Sequence, residues 1–312
     1  MFLPIIASVV VSQTITPLHT YNNLENGIMV KIDLAEDFDT ASLVLLDNEN
    51  NLLAPPATVS KGTHDLTSRI PEIKKITQAV WLQLYIKHTA VGSSYVIQPM
   101  TSREVPVVEE ATRPGGKATY TKIVEWEDEA AEDELPTPYV SGWRVYMDKD
   151  AMMKTSEGDI RVALRPDKAP NTVWNFRELT KGGLYQNTNF HRIVPLSSKG
   201  HPFVIQGGDP TGTGMGGAGS WLPIENSSLE HDFGVISMAR AGDTDSAGCQ
   251  FFLCLSREGT ARLDGQYCSF GQTLSGGDVI KKIAYVKLAD PATGAPVSPP
   301  VVHSGTLVPS EA

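Results

Sequence analysis

Between residue 27 and about residue 100, apolar and polar positions alternate in short runs. Asn26-Gly27 is a turn dipeptide, after which Val30, Ile32 and Leu34 alternate with Lys31 and Asp33. SLVLLDNENN is an apolar run that ends in a turn-rich cluster. In VWLQLYIK, Val80, Leu82, Leu84 and Ile86 point one way, and Trp81, Gln83, Tyr85 and Lys87 the other. That period of two is the pattern of a half-buried strand. SYVIQP follows after Gly92. Short strands separated by turn signals predict a small β-sandwich over residues 21–102, with no cluster of catalytic residue types in it.

The period is lost over residues 103–147. Pro114-Gly115-Gly116, Pro136 and Pro138 accompany a run from Glu125 to Glu134 in which seven of ten residues are acidic. A block of like charge with proline predicts a solvated acidic linker. From about Met152 the pattern strengthens. DIRVALR alternates as a strand. Pro170 suits the first turn of a helix that carries Val173, Phe176 and Leu179 on one side and stops at Gly182-Gly183. Strands are expected at NFHRIV, PFVIQGG, GVISMA, QFFLCL and YCSFGQ, then a second helix at DVIKKIAYV with Val279, Ile280 and Ile283 inward. Many strands with helices near both ends predict a mainly β chain. Its C-terminal part, residues 148–295, is expected to be a closed antiparallel barrel capped by two helices, with 296–312 as a tail.

Composition narrows the classes. With 41% hydrophobic and 20% charged residues, the 312-residue chain can bury a core, which excludes a wholly disordered, collagen-like or disulfide-stapled protein. The formal charge of −10 leaves no general basic surface for nucleic acid, so no nucleic-acid partner is expected. Cys249, Cys254 and Cys268 form no C-x-x-C and lie apart from the histidines, so buried reduced thiols are expected and no metal. The opening MFLPIIASVVVSQ is far too short to span a bilayer, and residues 1–20 read either as an export signal or as a buried first strand. The matching locations are exported or periplasmic, with the cytoplasm as the alternative.

Several motifs fail on their context. Gly212-Thr213-Gly214-Met215-Gly216-Gly217 spells G-x-G-x-x-G, yet AGSWLPIEN follows where a dinucleotide site needs a helix. Asp243-Thr244-Asp245 lacks the later oxygen ligands of a calcium loop. No G-x-S-x-G, H-E-x-x-H or Cys/His dyad can be assembled. What remains is Arg192 in FHRIVP, Phe203, Val204 and Gln206 in PFVIQGGDPTGTG, Gln250 and Phe252 in SAGCQFFLCL, and Leu263 and Tyr267 in LDGQYCSFG.

Taken in order, with GDIRVALRPDKAPNTVWNF and GVISMARAGD, these motifs resemble the cyclophilins, peptidyl-prolyl cis-trans isomerases, of the bacterial kind. The resemblance runs from about Met152 to Leu288. It implies an eight-stranded barrel and rotation of Xaa-Pro bonds in polypeptides, with neither covalent intermediate nor cofactor. It also implies that Arg192 is catalytic and that Gln206 positions it. Phe203, Val204, Phe252, Leu263 and Tyr267 would form the proline pocket, and Ala239, Arg240 and Gln250 would lie along the substrate backbone. Three departures stand out: an insertion of about six residues between Arg192 and Phe203, tyrosine at 267 where eukaryotic members carry histidine, and Arg262 where cyclosporin-sensitive members carry tryptophan. The last implies weak cyclosporin binding. A non-catalytic proline-peptide module or folding scaffold is the alternative.

Overall fold

The computed structural model describes residues 14–112, 116, 119–129 and 138–310. The signal-or-strand reading of residues 1–13, and the part of the acidic run from 130 on, lie outside the described residues. Two compact units divide the chain, and the first is discontinuous in sequence: it takes the residues up to Thr101 and then Pro138–Asp148.

This first unit runs through β1 (Thr14–Pro17), β2 (Tyr21–Asn23), β3 (Met29–Asp33), β4 (Thr40–Leu46), β5 (Ala57–Ser60), β6 (Gly62–Asp65), the single turn α1 (Leu66–Arg69), β7 (Val80–Ile86) and β8 (Thr89–Thr101). The chain then leaves for a hairpin of β9 (Glu104–Thr112) and β10 (Thr119–Asp128), and returns with β11 (Val140–Met147). One sheet has the order β1-β3-β6 and the other β2-β11-β8-β7-β4-β5, all neighbours antiparallel. Val30 and Ile32 from the first sheet meet Leu43, Leu45, Leu82 and Leu84 from the second in one apolar core. Trp143, fully buried there, donates its indole N–H to the carbonyl of Ile73 at 3.2 Å.

The stretch expected as a linker is therefore three strands. Gly142 to Tyr146 shows no alternation because Trp143, Arg144, Val145 and Tyr146 are all buried, and a strand covered on both faces has no period of two. In β9 and β10 the acidic residues sit at exposed positions, so charge hid an alternation that buries Ile123. An Arg103–Glu129 ion pair at 3.3 Å and the Glu129 N–H donating to the Arg103 carbonyl hold the base of this hairpin.

The second unit contains the hairpin and then β12 (Lys149–Thr155), β13 (Gly158–Leu164), α2 (Pro170–Lys181), β14 (Thr188–Asn189), β15 (Arg192–Leu196), β16 (Pro202–Gly207), β17 (Val235–Met238), β18 (Phe251–Cys254), α3 (Arg257–Thr260), β19 (Ser269–Ser275), α4 (Gly277–Ala284), β20 (Leu288–Asp290), β21 (Ala295–Pro296) and β22 (Val301–Pro309). Its main sheet has nine strands, not the expected eight, in the order β14-β22-β12-β13-β19-β17-β18-β16-β15. One of these strands, β22, comes from the stretch expected as a tail; it sits between β14 and β12 and pairs with β12 over that strand's whole length. His303, Ser304 and Gly305 interrupt its apolar pattern.

Two longer helices lie against this sheet. Pro170 occupies the first turn of α2, and Gly182 ends the helix by donating its N–H to the Glu178 carbonyl at 2.8 Å. Ala169 offers no capping side chain. Glu225 takes that role from 54 residues away: its carboxylate accepts from the N–H of Asn171 at 2.9 Å and from the N–H and hydroxyl of Thr172 at 2.7 Å. Burial pushes the Glu225 carboxyl up, against those hydrogen bonds. In α4, Val279, Ile280 and Ile283 are buried. Among the described residues no helix is long and apolar enough to cross a membrane.

Candidate active site

Strand alternation builds two apolar layers from β15, β16 and β18. Ile193, Ile205, Phe251 and Leu253 face the main core, with Phe176, Tyr185, Phe190 and Phe270. Residues of the opposite parity, Val194, Val204, Phe252 and Cys254, face the other way into a second, smaller cluster. Phe203, Ala239, Leu263 and Tyr267 complete this second layer. The register then places Arg192 opposite Gln206, and Gln206 opposite Phe252. One row across three strands thus carries a cation, an amide and an aromatic ring at the edge of an apolar patch.

The polar end of that row is held by a chain of hydrogen bonds. Arg192 Nη1 donates to Gln206 Oε1 at 3.1 Å, and Gln206 Nε2 donates to Gln250 Oε1 at 3.0 Å. Gln250 Nε2 donates to the carbonyls of Gly214 and Gly216 at 3.0 and 2.9 Å. Those two carbonyls fix which end of the Gln250 amide is nitrogen, and the choice propagates to Gln206 and to the guanidinium. The glycine-rich loop is the anchor. Asp209 accepts from the N–H groups of Thr211, Gly214 and Gly216 at 2.7, 2.5 and 3.1 Å. Against the cost of burial, these bonds hold its carboxyl below the ordinary range. A Cβ at Gly216 would collide with that carboxylate. The amides a phosphate would need are bound to an internal anion, and the first helix after the glycine loop begins only at Arg257, so the nucleotide motif is a spelling coincidence.

The aromatic end is braced from below and beside. The Phe252 and Tyr267 rings meet edge to face at 5.7 Å, and His231 stacks on Phe252 at 6.0 Å. His231 Nδ1 pairs with Asp264 at 2.9 Å, its Nε2 pairs with the Ser237 hydroxyl at 2.9 Å, and Asp264 is bound by Arg257 at 2.6 Å. Burial pushes the His231 imidazole below its usual value, although Asp264 opposes this. Sequence reasoning missed His231 and Asp209; the first gains its role from Asp264, 33 residues on, which no local pattern signals.

Every pocket residue named from the resemblance lies in or beside this cluster, Phe203, Ala239 and Tyr267 at its partly exposed rim. The Arg240 side chain turns inward: its Nε donates to the Gln266 carbonyl at 3.1 Å and its guanidinium lies 4.7 Å from the centre of the Tyr267 ring. Arg262 lies 4.8 Å above the Phe203 ring. The insertion after Arg192 forms a tight turn joining β15 to β16, closed by the Ser197 N–H donating to the His201 carbonyl at 2.7 Å. Cys249, Cys254 and Cys268 are free and buried. Burial pushes the thiols up, to about 11 for Cys249 and about 12 for Cys254. Among the described residues no group of three or more His, Cys, Asp or Glu could hold a metal.

An apolar cluster with partly exposed members, a guanidinium on the adjoining row and no activated thiol can seat a compact apolar ring beside a hydrogen-bond donor. Comparison gives that class a family. Residues 151–306 match the model for cyclophilin type peptidyl-prolyl cis-trans isomerases. A peptidyl-prolyl cis-trans isomerase of Synechococcus elongatus is 42% identical over 123 residues, 39% of this chain and 79% of that protein. Peptidyl-prolyl cis-trans isomerase-like 2 of Cryptococcus neoformans is 37% identical over 189 residues, 58% of this chain; the chain spans only 31% of that longer relative. A Cryptosporidium parvum cyclophilin type isomerase, solved in the presence of the dipeptide Ala-Pro, aligns at 29% identity with a TM-score of 0.46, over 51% of this chain and 98% of that one. The chain belongs to the cyclophilin-type peptidyl-prolyl isomerase family. Bacterial and fungal relatives match at similar identity, so the bacterial kind expected from the sequence is not singled out.

Proposed function

We propose that this chain catalyses cis-trans isomerisation of Xaa-Pro bonds in polypeptides. The observation that carries the reading is the row Arg192–Gln206–Phe252, which sets a fixed guanidinium at the edge of an apolar pocket. The amide resists rotation because nitrogen shares its lone pair with the carbonyl, a barrier of roughly 18–20 kcal/mol. At the twisted transition state that pair is localised on the proline nitrogen. Arg192 donates a hydrogen bond to it there and only weakly in the planar ground state, which is differential binding. Phe203, Val204, Phe252, Leu263 and Tyr267 hold the pyrrolidine ring away from water while the preceding residue turns. Ala239, Arg240 and Gln250 line the path of the peptide backbone, and Gln206 holds the guanidinium in place. A lowering of about 7 kcal/mol would speed the step by about 10⁵. No proton is transferred in this scheme.

The test is exchange spectroscopy or a coupled assay on a Xaa-Pro peptide with the full chain. Arg192→Ala should lower kcat/KM by about 10²-fold or more, the usual cost of deleting one transition-state donor. Arg192→Lys should recover little of it, because an ammonium lacks the planar fork. A wild-type chain that binds proline peptides without accelerating exchange would favour a binding module instead.

A further inference from the structure

The outer edge of β10 is bound to the isomerase site. Thr121 donates its backbone N–H at 3.3 Å and its hydroxyl at 2.7 Å to the carbonyl of Gly242. Its own carbonyl accepts from Arg240 Nη2 at 3.5 Å. Two residues on, the Ile123 N–H donates to Gln266 Oε1 at 2.9 Å, and the Ile123 carbonyl accepts from Gln266 Nε2 at 2.9 Å. One carboxamide thus presents an acceptor and a donor to one residue, as a paired strand would. The Ile123 side chain, 5% exposed, packs into the main core of this unit, and Trp126 packs against that core. The partners are not scattered. Arg240 and Gly242 belong to the loop that follows Ala239 of the pocket cluster, and Gln266 directly precedes Tyr267.

Tyr267 links these contacts to substrate. Its ring is held between the edge-on Phe252 ring, at 5.7 Å, and the Arg240 guanidinium, at 4.7 Å. Arg240 is fixed in turn by the carbonyls of Gln266, Ala241, Gly242 and Thr121. Removing the hairpin contacts would release the Gln266 side chain, one of the Arg240 anchors and the 239–242 loop together. A pocket wall that has to be ordered each time a peptide binds weakens ground state and transition state alike.

We propose that the β9–β10 hairpin is a working part of the peptide site, with Gln266 and Thr121 as positioning residues that set how tightly substrate is held. The inference rests on the isomerase reading and makes a distinct kinetic demand. Loss of uniform binding raises KM and spares kcat, whereas loss of the arginine donor lowers kcat.

In the full chain, Gln266→Leu and Thr121→Pro should each raise KM for a Xaa-Pro peptide by about five- to tenfold, with kcat within about twofold of wild type. Gln266→Glu, which keeps the acceptor and loses the donor, should fall between. The double variant should cost no more than the larger single one, because both release the same wall. Amide exchange at Ile123 should quicken in Gln266→Leu and Thr121→Pro. Unchanged KM in Gln266→Leu or Thr121→Pro, or a fall in kcat with KM held, would overturn the proposal. An inactive wild-type chain would instead refute the isomerase reading itself.

Discussion

Replacing Gln206 by leucine keeps volume on β16 and removes the bridge that runs from Arg192 through Gln250 to the glycine-loop anchor. The Arg192–Gln206 bond is charge-assisted, and such bonds contribute about 1.5–3 kcal/mol net. Arg192 is exposed, so water replaces part of what is lost and the low end of that range applies. About 1.4 kcal/mol in the transition state is about tenfold in kcat/KM. The loss should sit in kcat, because Gln206 acts by aiming a donor whose main partner appears only in the twisted state. Gln250→Leu should cost a similar factor by freeing the Gln206 amide to turn over. Since both act on the orientation of one guanidinium, the double variant should be no worse than about twofold below the weaker single one. Progress curves for a Xaa-Pro peptide across substrate concentration give all three numbers. A Gln206→Leu enzyme within twofold of wild type, or multiplicative losses in the double variant, would refute the relay.

Three further outcomes follow from contacts already described. Glu225→Ala orphans the first N–H groups of α2 and the Thr172 hydroxyl in a buried place, and should cost about 3 kcal/mol of stability in denaturant titration; a loss under about 1 kcal/mol would deny Glu225 its capping role. Cyclosporin should bind weakly because a charged, flexible Arg262 covers Phe203, and Arg262→Trp should tighten it; nanomolar binding by the wild type would contradict this. Thiol reagents at pH 8 should leave the three cysteines of the native chain unmodified, since burial holds Cys249 near 11 and Cys254 near 12.

The parts of the second unit legible in the sequence were those where one physical signal dominates. DIRVALR has one buried and one partly exposed face, so its alternation reads directly, and Pro170 with Gly182 punctuates α2 at both ends. Pocket residues came from motif order, which the strand register converts into one row. What stayed hidden depends on long-range pairing. Residues of β22 gain their place from β12, some 150 positions earlier, and their own pattern is broken by Ser304-Gly305. The acidic hairpin read as solvated because only Ile123 and Trp126 betray its packing. Asp209 carries no signal of its own in the sequence, and only the fold reveals that the glycines wrap around its carboxylate so that Gln250 can be fixed.

The pH dependence should separate stability from catalysis. His231 is faced by Asp264, Ser237, Arg257 and the Phe252 ring, and burial holds its imidazole below the ordinary 6.5 despite Asp264. His191 is pushed down likewise, by burial first and by Arg192, against Asp209. A base with a depressed folded pKa binds fewer protons folded than unfolded just below pH 6.5, so stability rises with pH there. The contribution is complete above about 6.5 and is lost as pH falls through the folded values. Asp209 and Asp264, whose folded values lie below 3.8, lose their contribution in a separate, more acid window. Glu225, raised by burial, contributes the opposite slope above pH 4.5, so in a Glu225→Gln background urea midpoints should climb from pH 5 to pH 7, and His231→Gln should flatten much of that climb. Catalysis behaves differently. Above pH 7 both imidazoles are already neutral, Arg192 stays protonated, and the proposed rotation moves no proton, so kcat/KM should be level from about pH 7 to about pH 9. Midpoints that fall between pH 5 and 7 in that background would reverse the sign assigned to the buried imidazoles, and a bell-shaped rate profile above pH 7 would demand an acid or base that this pocket does not supply.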